Sequence, residues 1–171
     1  SKQDDFVSVA LMNAGHLAWD AASKAEDPDM AAQYKSDALI LYNYFLSVDL
    51  MNQMSGIVAL RIARDKLNSI AEYGNRLNAE KNQDIRTQLK KEWSQAIEDT
   101  ISAYQMIMNN FGSNKELVCE AYIRIGDCYI LQERTEEAVS ILEKYLNLYG
   151  NDNLDIAAVA KENISEMLAK R

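Results

Sequence analysis

The chain is poor in everything that breaks helices or builds active centres: one proline, six glycines, two cysteines and one histidine in 171 residues. So few breakers argue against a fold of many short strands and favour long helices. One histidine cannot supply the two Glu-x-x-His pairs of a di-iron bundle. Around His16 the residues one turn away are Asn13 and Asp20, too few groups for a zinc site or a Ser-His-Asp triad. Cys119 and Cys128 lie nine residues apart on one expected helix; at about 100° per residue they point to opposite sides, cannot bridge each other, and read as small buried hydrophobes. No glycine-rich phosphate loop exists, and no run of eighteen apolar residues that could span a membrane. Positive charge is scarce too. The formal charge is −8 and the pI about 4.7, which argues against nucleic acid and anionic membranes as main partners. The chain opens SKQDDF without a methionine or a signal sequence, which fits a trimmed or processed start and leaves the location open between cytoplasm and periplasm. No catalytic residue, cofactor or metal is expected.

What is present is 48% apolar residues in periodic arrangement, enough for one domain with a sizeable core. The clearest stretch is CEAYIRIGDCYILQERTEEAVSILEKYLNLYG, from Cys119 to Gly150. In its first half Tyr122, Ile125, Gly126 and Tyr129 share one helical face; in its second, Ala138, Val139, Leu142, Tyr145 and Leu146 do the same. Gly126 and Ala138 are small residues at the positions where two antiparallel helices need to approach closely. These features resemble the tetratricopeptide repeat, a helix-turn-helix unit that stacks into a superhelix. The departures are Glu133 where a turn glycine is usual, Tyr145 where a small residue is usual, and Gly150 where proline is usual.

Taken in order, Ser1 to Asp5 reads as a frayed polar arm. From Phe6 to about Ala25 a helix is expected with Val7, Ala10, Leu11, Ala14, Leu17, Ala18 and Ala21 inward and Gly15 as the small residue. Asp27 caps the next helix and Pro28 fits its first turn. Ala38, Tyr42, Phe45 and Leu46 recur 100 residues later as Ala138, Leu142, Tyr145 and Leu146. Residues 6–49 thus form a first, degenerate repeat. Residues 52–112 form a second, extended one: Ile57, Leu60, Ala63, Leu67, Ile70, Ala71 and Leu77 line its first helix, and a long stripe from Ile85 to Phe111 lines its second. The second stripe ends like the third repeat does, with Tyr104, Met108, Phe111 and Gly112 in place of Leu142, Leu146, Tyr149 and Gly150. Residues 116–150 are the third repeat. Residues 153–170 form a capping helix with Leu154, Ala157, Ala160, Ile164, Met167 and Leu168 inward and a polar back. The expected fold is all-α, about seven helices, in antiparallel helix-turn-helix repeats stacked as a right-handed superhelix, a tetratricopeptide-like α-solenoid forming a single domain over residues 1–171.

Charge is uneven along the chain. Between Ile57 and Lys91 there are eight Lys or Arg against four Asp or Glu, about +4, which leaves −12 for the remainder. That stretch reads as a solvated helix face, with docking of an acidic partner as the alternative. Adjacent carboxylates such as Glu98 and Asp99, or Glu136 and Glu137, fall on solvent faces near helix starts. The tyrosines sit at core spacing. What the resemblance implies is a non-enzymatic adaptor whose concave groove, lined by the first helices of each pair, holds a protein or peptide segment. By that resemblance the groove residues of the third repeat are Glu120, Ile123, Asp127 and Ile130, with Arg124 matching one basic position of the carboxylate clamp that grips acidic chaperone tails. Glu120 stands where that clamp needs a lysine, which argues against chaperone tails. A homo-oligomer is a further expectation to be tested. The second reading is structural: the repeats also look like those of bacterial envelope assembly lipoproteins, whose second helices likewise end in an aromatic before a breaker, as Leu148-Tyr149-Gly150 does.

Overall fold

A computed structural model of the chain describes residues 2–169, with side chains from residue 6 onward. Seven α-helices account for nearly all of it: α1 (Lys2–Lys24), α2 (Pro28–Val48), α3 (Ser55–Ala79), α4 (Gln83–Asn110), α5 (Lys115–Leu131), α6 (Thr135–Tyr149) and α7 (Leu154–Ala169). There is no strand among the described residues. The chain resolves into two compact units, Ser1–Ile62 and Ala63–Arg171, with the division falling inside α3.

Short polar residues start the helices. The Asp27 carboxylate accepts the Asp29 amide at 2.9 Å, Asn82 accepts from Asp84 and Ile85, and Asn114 accepts from Leu117. Each satisfies amides that the first turn leaves without an intrahelical partner. The Asn153 side chain does the same for Ile156 at 3.1 Å. Arg86 works at the opposite pole of a helix: its Nη1 donates to the carbonyls of Leu77 and Glu80, the orphan acceptors at the end of α3.

In the first unit α2 folds back on α1 and the opening turns of α3 close over them. Ala38, Tyr42, Phe45, Val58 and Ile62 form the core, with Leu11, Met12, Ala18 and Trp19 of α1 packed against it. Gly15 makes the approach possible, since a Cβ there would lie 2.6 Å from Tyr42 Cε1. The inward arc of α1 differs from the expected one. Val7, Ala10 and Leu17 face out, Leu17 being 72% exposed, while Ser8 is fully buried. Apolar residues cover more than half of this helix's circumference, so apolar spacing left its rotation loosely set; the contact of Gly15 with the Tyr42 ring fixes it. The helix also begins at Lys2, so residues 2–5 continue it rather than forming an arm, and Ser1 lies outside the described residues.

In the second unit α4 packs on α5, α5 on α6 and α6 on α7. Gly126 repeats the device of Gly15, because a Cβ there would lie 2.6 Å from Leu142 Cδ2. The helices α3 and α4 are more widely spaced than these pairs, and Trp93 stands between them against Gly74. Ile57 and Ile85, expected inward, are about half exposed. The second helices share a buried pattern: Ala38, Tyr42 and Phe45 in α2, Thr100, Tyr104 and Ile107 in α4, Ala138, Leu142 and Tyr145 in α6. The spacing of four and then three keeps each trio on one face.

The turn into α6 carries a signature of its own. Glu133 has φ of 58°, in the left-handed region, at the position where the sequence departs from a turn glycine. No side chain caps α6; Arg134 instead pairs with Glu98 at 3.0 Å and Glu137 at 2.9 Å and lies over the Tyr129 ring at 4.5 Å. The last helix is only partly the expected cap. Ala157, Ala160 and Met167 are buried and Ile164 is half-buried, but Leu154 and Leu168 are exposed. Leu168 is one residue past Met167, about 100° round the helix, and Leu154 stands in the first turn, short of the buried arc. Lys170, the last residue of the expected cap, lies outside the described residues.

Candidate functional site

Two parallel helices with a third behind them leave a trough when their side chains do not fill the space between. Both α5 and α7 pack on α6, and between them lies an open cleft of about 720 Å³. One wall is α5, with Cys119, Glu120, Ile123, Arg124 and Asp127; the other is the start of α7, with Asp155, Ile156 and Val159; Tyr145 of α6 lies between. Lys115 Nζ and Asp152 Oδ1, at 2.7 Å, tie the beginnings of the two helices together.

Four of the five residues expected in the groove, Glu120, Ile123, Arg124 and Asp127, therefore share this cleft. Ile130 does not: it packs against the cluster of Ala138, Leu142 and Tyr145. Seven residues beyond Ile123 it keeps the same nominal face, but the trough is confined to the earlier turns of α5. Sequence reasoning missed the α7 wall, because that helix reads as a cap. The available signal was Ile156 and Val159, two β-branched apolar residues three apart and off the inward stripe.

The two acids of the expected groove, Glu120 and Asp127, already have partners within the chain. Arg64 of α3 grips Glu120 with both arms, Nε to Oε1 at 2.8 Å and Nη2 to Oε2 at 2.6 Å. Such a two-point pair is geometrically specific and orders both side chains. The Tyr104 hydroxyl stands 3.5 Å from the same carboxylate, and burial followed by the charge of Glu120 raises its pKa far above the ordinary phenol value. Asp127 bonds Arg124 at 3.1 Å; burial pushes its carboxyl up and Arg124 opposes the shift. The same physics favours the protonated form of both thiols. Burial raises Cys119, with Asp152 adding to it, and pushes Cys128 up to about 12.

Half of the eight basic residues of that stretch of α3 and α4 are paired within the chain. Arg61, Arg64, Lys66 and Arg86 all have internal partners: Tyr42 and His16, Glu120, Asp99, and the end of α3. In the first unit His16 Nδ1 lies 2.7 Å from the Tyr42 hydroxyl and 2.9 Å from Arg61 Nη1. The guanidinium, which also lies over the Trp19 and Tyr42 rings, can only donate. Nδ1 is therefore an acceptor and the ring is neutral with its proton on Nε2. Its pKa is lowered, first by burial and then by Arg61, with Asp20 pulling the other way.

Among the described residues no group of three or more His, Cys, Asp or Glu is gathered closely enough to hold a metal, and no helix is long and apolar enough to cross a membrane. Comparison with protein-family models, with curated proteins and with solved structures yields no match.

Proposed function

We propose that this chain is a non-enzymatic protein-interaction module, an adaptor or scaffold built from tetratricopeptide-like helical repeats, that holds a peptide or protein segment in the cleft between α5 and α7. The observation that carries this is the cleft: a trough large enough for several side chains, with exposed apolar groups along it, formed between α5, the first helix of its pair, and the last helix, α7. Binding sites for peptides combine such apolar troughs with a few fixed polar groups. The repeat reading draws support from the shared buried trio of α2, α4 and α6, from the matching close approaches of Gly15 and Gly126, and from the left-handed Glu133 in the turn. A right-handed superhelix with the first helix of each pair on its concave side is part of the proposal.

Site-specific photo-crosslinking tests it. A benzophenone amino acid at Val159 or Ile123 should give defined adducts in native extract, and the same probe at Lys144, exposed on α6, should not. Equal labelling from all three positions, or none from any, would sink the assignment.

A further inference from the structure

The cleft is apolar along its length and acidic where α5 and α7 begin. Ile156 and Val159 are 38% and 55% exposed although their neighbours Ala157 and Ala160 are buried, so they form an uncovered apolar wall facing Ile123. Charge along the cleft separates into committed and uncommitted groups. Lys115 is held by Asp152, Arg124 by Asp127, and Glu120 by Arg64. The ion pairs of Lys115 and Arg124 in the cleft are with Asp152 and Asp127, and Glu116 and Asp155 stand outside them. Both stand in first turns, where negative charge suits the helix dipole. Each helix end offers only about half a positive charge, so two full carboxylates leave a surplus of negative potential at that mouth.

We infer that the occupant is a short amphipathic segment of another protein, its apolar side chains on Ile123, Ile156 and Val159 and a flanking Lys or Arg on Glu116 and Asp155. This partner class rests on the binding function proposed above. An anionic lipid or nucleic acid would meet repulsion at the acidic mouth. A second copy of this chain carries the same formal charge of −8, so two copies repel each other on approach. A segment with apolar anchors and a basic flank meets both halves of the cleft at once: burial supplies affinity and the charge supplies orientation and encounter rate.

The test is selection of a displayed library of random segments, about fifteen residues long, on the intact chain, with the Ile156→Lys/Val159→Lys variant as counter-target. Both positions face solvent, and helix content by circular dichroism checks that the variant folds; if it does not, Glu116→Lys/Asp155→Lys serves as the counter-target. Enriched segments should join apolar residues to Lys or Arg, bind the counter-target at least about tenfold more weakly, and lose affinity as salt is raised. Acidic or uncharged segments that still depend on Ile156 and Val159 would overturn the partner chemistry and leave peptide binding standing. Segments that bind both targets equally, or no enrichment, would overturn the cleft as a binding site altogether. Self-association of the chain that the same variant abolishes would replace the foreign segment by a second copy, and so overturn the inference too.

Discussion

At the scale of single residues, two positions carry an identifiable conformational or electrostatic cost. Glu133 occupies the left-handed region at φ 58°, where a side chain pushes Cβ toward the carbonyl and costs about 1–2 kcal/mol per residue. Glycine removes that cost but adds chain entropy to the unfolded state. Glu133→Gly should therefore stabilise by a net of about 0.5–1 kcal/mol, read as a raised denaturation midpoint without a changed slope. A lowered midpoint would mean that the Glu133 side chain makes a contact worth more than the strain. His16 is the second. Its pKa is lower in the folded chain than the ordinary 6.5, so the unfolded chain binds its proton first. The stability it contributes is complete above 6.5 and is lost as pH falls toward the depressed folded value. Protonation places a second cation beside Arg61, 2.9 Å from Nδ1. Thermal stability should thus fall across this window in the parent and fall less in His16→Gln. Identical pH profiles for the two proteins would show that the His16, Tyr42 and Arg61 contact is not coupled to folding.

Helices tell how much was legible beforehand. Their existence and number follow from the 3.6-residue period and the scarcity of breakers, and the start of α2 at Asp27 and Pro28 follows from capping chemistry. Rotation about the axis was less legible. In α1, α3 and α4 the outward Val7, Leu17, Ile57 and Ile85 fit the apolar period as well as the buried residues do, and only tertiary contacts such as Gly15 on Tyr42 decide between them. The α5 wall of the cleft was readable from the resemblance, but the internal use of Glu120 by Arg64, 56 residues away, leaves no local mark in the sequence. The α7 wall was hidden because one helix serves two purposes, covering α6 with Ala157, Ala160, Ile164 and Met167 while turning Ile156 and Val159 to the cleft. Ending the chain at Gly150 removes that cover from Leu142 and Tyr145. Ile164 and Met167 alone represent roughly 1.5–3 kcal/mol each if fully buried. The truncated protein should melt several degrees lower, bind a hydrophobic dye and aggregate on heating. An unchanged melting temperature with no dye binding would show that α7 contributes nothing to the core beneath it.

For the whole molecule the question is whether two compact units within one chain also unfold as two. Each has its own core, Ala38, Tyr42, Phe45, Val58 and Ile62 in the first, and in the second the buried faces of α4, α5 and α6 with α7 over the last. Size favours the second unit. A domain of about 60 residues buries only about 60% of the surface its unfolded chain exposes, and the fraction rises with length. The first unit, Ser1–Ile62, is of that size and also leaves Phe6 and Leu17 more than 70% exposed. Against this, α3 runs unbroken through the division, and helix formation is cooperative along a segment. On the size of the cores the first unit should unfold at the lower denaturant concentration. The chain supplies its own reporters, since Trp19 lies in the first unit and Trp93 in the second. Trp93→Phe leaves fluorescence from Trp19 alone, and Trp19→Phe leaves it from Trp93 alone. The Trp19 transition should come first, and acidification through the His16 window should move it further from the Trp93 transition. Coincident midpoints that shift together with pH would instead make α3 a rigid coupler and the chain a single cooperative body.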